Sequence, residues 1–185
     1  VTRFAMAQRE IGLAVGEPPT TKGYPPSVFS LLPKLLERAG NSESPGSLTG
    51  FYSVLVEAYD PNDPIGDAVR SIVDGHLLLD RAIAAQGHYP AIDVLRSKSR
   101  VMVDIAPETQ QKNITRLIQT LSTYKEAEDL INIGAYVKGS NPKIDYAIQK
   151  INDINRFLQQ GLREKFMLLE CEAQLEQIFQ DFPDN

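Results

Sequence analysis

Glycine and proline are distributed very unevenly along this chain of 185 residues. Of the 24 residues of these two types, 19 lie in residues 1–107 and only five in the last 78 residues. Because glycine and proline mark turns and loops, the first part should consist of short elements joined by frequent loops. The second part should consist of long helices, so we expect two domains, residues 1–107 and residues 108–185.

Two stretches of the first part have apolar residues at helical spacing. They cover residues 1–15 and residues 28–39, and the second contains Pro33, where a kink or a restarted helix is expected. Between them, residues 16–26 hold four prolines and two glycines and predict a shaped loop.

Three further runs in the first part are typical of strands or extended chain. Residues 51–56 are apolar except for Ser53 and predict a strand buried on both faces, as in a parallel sheet. Leu77, Leu78 and Leu79 predict a second short buried strand, and residues 91–95 predict an extended segment. Strands that alternate with helices favour the α/β class.

After Pro107, apolar residues keep helical spacing to the end of the chain. The three stripes are Ile114, Leu117, Ile118, Leu121 and Tyr124; Ile144, Ile148, Ile151, Ile154 and Leu158; and Phe166, Leu169, Ala173 and Ile178. Residues 140–142 predict a turn followed by a helix start. We therefore expect a small all-α helical bundle in residues 108–185.

The composition excludes several classes of protein. Hydrophobic residues make up 42% of the chain and charged residues 23%, as in globular proteins. The net charge of −5 does not favour a nucleic-acid-binding surface. The single cysteine, Cys171, excludes an intrachain disulfide and is expected to pack in a helix. No run of 18 apolar residues predicts a membrane-spanning helix.

Common catalytic motifs are missing from these residues. The two histidines, His76 and His88, do not have metal-binding spacing, and we expect them to be ordinary polar residues. The sequence contains no Gly-x-Ser-x-Gly, no Gly-x-Gly-x-x-Gly and no Gly-Lys-Ser/Thr, so it holds no phosphate-binding P-loop. The residues alone indicate a cytosolic α/β domain with a helical tail.

Several segments carry a resemblance to a known family. They are residues 2–5, residues 16–40, residues 74–76, residues 88–94 with His88-Tyr89-Pro90, and residues 97–102 with Ser97-Lys98-Ser99-Arg100. Together they resemble the type III export ATPases of flagella and injectisomes, a branch of the rotary ATPases. The resemblance implies that residues 1–107 are the C-terminal part of a RecA-like P-loop NTPase core. It also implies that the P-loop and the Walker B aspartate lie upstream of Val1.

The sequence also departs from that family. Residues 57–64 replace a more acidic run, and Asp80 stands where the family often has serine. The acidic lever motif of the ATP synthase catalytic subunit is absent from the helical part, which favours the export branch.

The resemblance assigns roles to four residues. Arg100 would be an arginine finger that reaches the γ-phosphate in a neighbouring subunit, since a guanidinium stays protonated and binds phosphate in planar, bidentate form. Tyr89 would pack against the adenine ring, Phe157 would close the same pocket, and Arg3 would help to organise its phosphate end. The alternatives are a surface ion pair for Arg100, the end of a buried strand for Tyr89, a core residue for Phe157 and a helix-surface charge for Arg3. No residue is assigned as a metal ligand.

The resemblance further implies an ATP hydrolase that powers protein export as a homohexamer. ATP and Mg²⁺ would be required, with most of their ligands outside these residues, so the 185-residue chain alone should be inactive. Residues 16–26 would face the central pore, and they and the helical part would contact a coiled-coil stalk protein. The alternative for residues 16–26 is an ordinary connecting loop. Other partners would be a stator or regulator protein, the export gate and chaperone–substrate complexes, at the inner face of the cytoplasmic membrane.

Two other functions remain open at this point. One is a nucleotide-binding, non-catalytic subunit of an F-, V- or A-type rotary ATPase, and the other is a stand-alone interaction module. The residues also do not distinguish a flagellar from an injectisome system.

Overall fold

The computed structural model describes residues 1–41, 43, 45–56 and 63–182. They form two compact units, Val1–Asp74 and Gly75–Asn185. This division lies earlier in the chain than the boundary expected between residues 107 and 108, which stays a prediction. The departure noted at residues 57–64 lies mostly outside the described residues.

The first unit contains three helices and one short hairpin in its described residues. The elements are α1 (Thr2–Ala14), a 3₁₀ turn (Thr21–Gly23), α2 (Pro26–Leu36), β1 (Gly40–Asn41), β2 (Ser47–Leu48) and α3 (Pro64–Ile72). Strand β1 pairs with β2 in antiparallel register.

Helix α2 supplies the centre of the first core. Val28, Leu32 and Leu36 recur every four residues and are buried on one face of α2. Ala5 of α1 and residues of α3 pack against this face. Helix α2 continues through Pro33, so the helix does not restart there.

The loop between α1 and α2 has the shape that its prolines and glycines predict. Thr20 N–H donates to the carbonyl of Tyr24 at 2.9 Å, and Tyr24 N–H donates back to Thr21 at 3.1 Å. Lys22 has φ +50°, and Gly16 has φ +86°, a conformation that favours glycine. The predicted loop at residues 16–26 is therefore confirmed.

The predicted strand at residues 51–56 is wrong. This segment has no regular secondary structure and pairs with no strand in the described residues, and Phe51 is 94% exposed. Its polar contacts are with residues 1–2 and with α2. The backbone nitrogen of Val1 donates to Ser53 O at 3.0 Å, Leu55 N–H donates to Thr2 Oγ1 at 2.8 Å, and the hydroxyl of Tyr52 donates to the carbonyl of Leu36 at 3.2 Å. A buried parallel strand requires neighbours on both sides, and the described residues supply none.

The second unit begins with short strands and small helices. Its elements are β3 (Gly75–His76), α4 (Arg81–Ala85), β4 (Lys98–Ser99), α5 (Met102–Ile105), α6 (Glu108–Asn132), α7 (Pro142–Leu158) and α8 (Leu168–Ile178). Strand β3 pairs with β4 in antiparallel register, and a single bridge joins Leu79 to Ile92. The prediction of a buried strand at residues 77–79 is wrong, because only Leu79 forms a bridge and Leu77 is exposed.

Helices α6, α7 and α8 pack together as the predicted bundle. Its core contains Leu117, Ile154, Leu175 and Phe179. Helix α7 starts as the sequence predicts: Pro142 takes the first position, and Asn141 Oδ1 accepts a hydrogen bond from Lys143 N–H at 3.0 Å. No helix in the described ranges is both long and apolar enough to cross a membrane.

Candidate functional site

The second unit contains a cavity of about 1070 Å³. Its volume lies near the upper end of ordinary small-molecule pockets. Two of the residues that the sequence singled out line it, Tyr89 and Phe157. The other lining residues come mainly from α7, α8 and the loop between them, and they include Arg156, Gln160, Phe166 and Ile178.

Tyr89 lies on the segment that follows α4. Its side chain is 57% exposed, so much of the ring faces solvent rather than the interior of the unit. Its backbone carbonyl accepts a hydrogen bond from Gln160 N–H at 2.8 Å. This bond joins the segment after α4 to the loop after α7 and holds the two sides of the cavity together.

Phe157 lies in the last turn of α7. It is half-buried and packs against the bundle core of Leu117, Ile154, Leu175 and Phe179. Because Ile154 lies one turn earlier on the same helix face and is fully buried, the core fixes the direction of Phe157. Phe157 is therefore both a residue at the edge of the core and a wall of the cavity.

The loop between α7 and α8 is braced by Glu164. Gly161 N–H donates to Glu164 Oε2 at 2.8 Å, and Gln160 Nε2 donates to the carbonyl of Glu164 at 2.6 Å. Sequence analysis did not single out this loop, although it contributes several lining residues. The only signal in the sequence was Gly161, a possible turn residue after the last apolar position of α7.

The residues that line the cavity carry both positive and negative charges. Lys150, whose side chain is only 11% exposed, places Nζ 2.7 Å from Asp181 Oδ1. That hydrogen bond is the main reason why the pKa of Asp181 lies below its usual value. Tyr146 donates to the same carboxylate, and burial followed by the negative charge of Asp181 raises the pKa of Tyr146. Asp181 therefore neutralises Lys150 at this edge.

The structure does not bring the other two candidates into this cavity. Arg100 is exposed directly after β4, and it is not one of the lining residues. Arg3 is exposed on α1 in the first unit. The aromatic pair is therefore assembled within one unit, whereas the two arginines lie outside the cavity.

The chemistry available in the cavity is that of binding. Tyr89 and Phe157 offer aromatic surface for a flat ring, and charged and amide groups surround them. Within the described ranges, no group of three or more His, Cys, Asp and Glu residues could hold a metal ion.

Two protein-family models match the chain. Residues 1–99 match the nucleotide-binding domain of the ATP synthase alpha/beta family. Residues 106–177 match the C-terminal domain of the type III secretion ATPase EscN.

Curated relatives agree with both matches. The chain is 55% identical over 175 residues to the flagellum-specific ATP synthase of Bacillus subtilis, covering 95% of this chain and 40% of the relative. It is 51% identical over 170 residues to the type 3 secretion system ATPase of Pseudomonas savastanoi pv. phaseolicola, covering 92% and 38%. The chain thus spans about 40% of the length of these relatives.

Solved structures are also similar to this chain. The assembled ATPase EscN of the enteropathogenic E. coli type III secretion system matches with a TM-score of 0.93 and 45% identity, over 96% of this chain and 43% of EscN. EscN in complex with its central stalk EscO matches with a TM-score of 0.86 and 43% identity, over 96% and 42%. The chain therefore belongs to the ATP synthase alpha/beta family, in the branch that contains the flagellar and type III secretion ATPases.

Proposed function

We propose that the protein containing this chain is the ATP-hydrolysing motor subunit of a type III export apparatus, flagellar or injectisome. The observation that carries the proposal is that Tyr89 and Phe157, far apart in the sequence, line one cavity. The resemblance assigns these two residues to the adenine pocket, and an aromatic surface suits a purine because stacking requires no particular hydrogen bonds. The bound ATP would supply the phosphoryl group that is hydrolysed.

Arg100 would act on the ATP of a neighbouring subunit. Its exposure and its place outside the cavity support this role. A guanidinium there would stabilise the charge that redistributes on the terminal phosphate, and such fingers contribute roughly 10³–10⁵ in rate. We also propose that Arg3 organises the phosphate end of the site. Mg²⁺ and the phosphates would be held mainly by residues outside this chain.

The proposed assembly is a homohexamer around a coiled-coil stalk, in the cytoplasm at the inner face of the membrane. Two similar structures support the general arrangement: EscN was solved as an assembled ATPase and in complex with its central stalk. The loop at residues 16–26, which is held in shape by its own hydrogen bonds, would contact the stalk. A stator or regulator, the export gate and chaperone–substrate complexes would be the other partners.

The proposed domain organisation keeps the boundary between residues 107 and 108. The two family models support it, since one ends at residue 99 and the other begins at residue 106. Residues 1–107 would complete the RecA-like core, and residues 108–185 would form the C-terminal helical domain.

Mixed rings of two inactive full-length variants test the proposal. Arg100→Ala should bind ATP and assemble but lose most turnover, because its neighbours receive no finger. A variant of the P-loop lysine has the opposite defect, with an intact Arg100 and an inactive site. If the two variants mix at random in equal amounts, roughly a quarter of the interfaces join an intact P-loop to an intact arginine, so some activity should return.

Phosphate release would be measured for each variant alone and for co-assembled mixtures, with mixed rings verified by pull-down of one tagged form. Activity that stays near zero in verified mixed rings would refute the action of Arg100 between subunits. Wild-type rings that bind ATP without any turnover would instead support a non-catalytic subunit.

A further inference from the structure

The structure assigns a positioning role to Ser97. We propose that its hydroxyl joins the two backbone runs that precede Arg100 and so fixes the direction in which Arg100 leaves β4. The inference rests on the proposed function of Arg100 as a finger. It also explains physically why a serine stands three residues before that arginine.

The two runs are residues 75–80 and residues 91–99, and they lie antiparallel. At one end Gly75 is opposite Ser99, and His76 is opposite Lys98. At the other end Leu79 pairs with Ile92, and Asp80 N–H donates to the carbonyl of Ala91 at 2.9 Å. Pairing at both ends sets the register of the whole stretch.

A turn at residues 93–97 interrupts this pairing in the middle. Asp93 N–H still donates to the carbonyl of Leu78 at 2.8 Å. The N–H of Leu78 donates to Ser97 Oγ at 2.9 Å, so a side-chain hydroxyl is the acceptor there. Ser97 Oγ in turn donates to the carbonyl of Asp93 at 2.6 Å. Both backbone groups of Leu78 are thereby bound to the two ends of the turn.

The turn has its own supports. Asp93 is buried, and its Oδ1 accepts a hydrogen bond from Arg96 N–H at 3.1 Å. Ser97 N–H donates to the carbonyl of Asp93 at 3.0 Å. The Nε2 atom of His76 lies 3.0 Å from the carbonyl of Arg96, within hydrogen-bond distance. A single side-chain atom must accept a hydrogen bond from Leu78 N–H and donate one to the carbonyl of Asp93, and a hydroxyl oxygen can do both.

Close packing of β3 against β4 fixes the backbone just before Arg100. A Cβ atom added to Gly75 would lie 2.9 Å from the carbonyl oxygen of Lys98, so β3 and β4 approach closely only because residue 75 is glycine. The chain is thus held at Ser97 by its side chain and at Ser99 by pairing with Gly75. Arg100 follows Ser99 directly, so the hydrogen bond at Ser97 and the strand pairing at Ser99 determine where the Arg100 backbone lies.

Ser97→Ala in the full-length protein tests the proposal. Ring assembly and KM for ATP should be preserved, because Ser97 does not line the nucleotide cavity. The kcat should fall on the order of 10²-fold, as expected when a catalytic group is displaced by about 1 Å. Ser97→Thr retains the hydroxyl and should recover most of the loss. Ser140→Ala, which removes an exposed serine hydroxyl bound to the carbonyl of Val137, is the matched control and should keep wild-type kcat.

The double variant Ser97→Ala/Arg100→Ala separates positioning from other effects. If Ser97 acts through Arg100, the double variant should be no slower than Arg100→Ala alone. A further independent loss, or a Ser97→Ala kcat within about twofold of wild type while Arg100→Ala is inactive, would overturn the inference and leave the proposed function intact. Full turnover by Arg100→Ala would instead overturn the proposed role of Arg100 itself.

A second variant covers the case in which Ser97→Ala does not fold. Gly75→Ala changes no hydrogen-bonding group, and Gly75 does not have a positive φ, so the substitution acts mainly through the contact with Lys98. It should move β4 and lower kcat at unchanged KM. Wild-type kcat in an assembled Gly75→Ala ring would count against the idea that the pairing of β3 with β4 sets the position of Arg100.

Discussion

Truncation of Tyr89 provides the most direct test of the proposal that the cavity binds a nucleotide. In the full-length protein, Tyr89→Ala should raise KM for ATP with little change in kcat, because a base is stacked equally in the ground state and in the transition state. Stacking of a base on an aromatic side chain contributes about 1–3 kcal/mol, which corresponds to a rise of about 5- to 150-fold in KM.

The structure indicates that the substitution will not act through stability. The Tyr89 side chain is 57% exposed, so its truncation removes little buried area and should cost at most about 1 kcal/mol of unfolding free energy. The contact that holds the segment, from Gln160 N–H to the carbonyl of Tyr89, uses only backbone atoms and remains possible in the variant. Tyr89→Phe is the matched control, and it should keep wild-type KM because the ring is retained.

The assay combines steady-state kinetics with product inhibition. The inhibition constant of ADP should rise by the same factor as KM, whereas that of pyrophosphate, which has no base, should not change. A fall in kcat at unchanged KM would refute the adenine assignment of Tyr89. An equal rise in the inhibition constant of pyrophosphate would also refute it, since the defect would then lie with the phosphates.

Two further predictions concern the helical bundle. Asp181→Asn removes the carboxylate partner of the nearly buried Lys150. Because the Asp181 side chain is 55% exposed, solvent screens the pair, and the loss of unfolding free energy near neutral pH should be ~1 kcal/mol. The pKa of Asp181 is lowered on folding. Its contribution to the unfolding free energy is therefore complete above the ordinary aspartate pKa of about 3.9 and is lost as pH falls through the lowered pKa. Urea unfolding should show that the difference in stability between variant and wild type shrinks in acid. Phe179→Ala truncates a buried core side chain and should cost about 3–5 kcal/mol, whereas the exposed Leu168→Ala should change stability by less than about 0.5 kcal/mol in the same denaturation experiment.

Most helices were predictable because their signals are local. Apolar residues three and four positions apart define a helix face without reference to the rest of the chain, and α2, α6 and α7 follow these patterns. The stripe predicted for α8 is wrong: Leu169 and Ala173 are exposed, and Leu175 and Phe179 lie in the core instead. The proline and glycine content of residues 16–26 likewise predicted the loop. The start of α7 was readable from Asn141 and Pro142, whose effects act within a few residues.

The strands were less predictable because a strand is defined by its neighbours. Residues 51–56 have the composition of a buried strand, yet composition does not say whether a partner lies alongside. Among the described residues no partner is present, and Phe51 is exposed. The leucines at residues 77–79 were mistaken for the same reason, because only Leu79 forms a β-bridge, with Ile92.

By itself, the sequence of this protein determined its helical content, its family resemblance and the identity of the aromatic and arginine candidates. Only the tertiary structure decided that Tyr89 and Phe157 share a cavity, that a backbone bond from Gln160 joins its two sides, and that Ser97 binds both Leu78 and Asp93. Each of these arrangements joins residues through packing or hydrogen bonds between different segments. Such contacts depend on the path of the whole backbone, and no local pattern of residues encodes them.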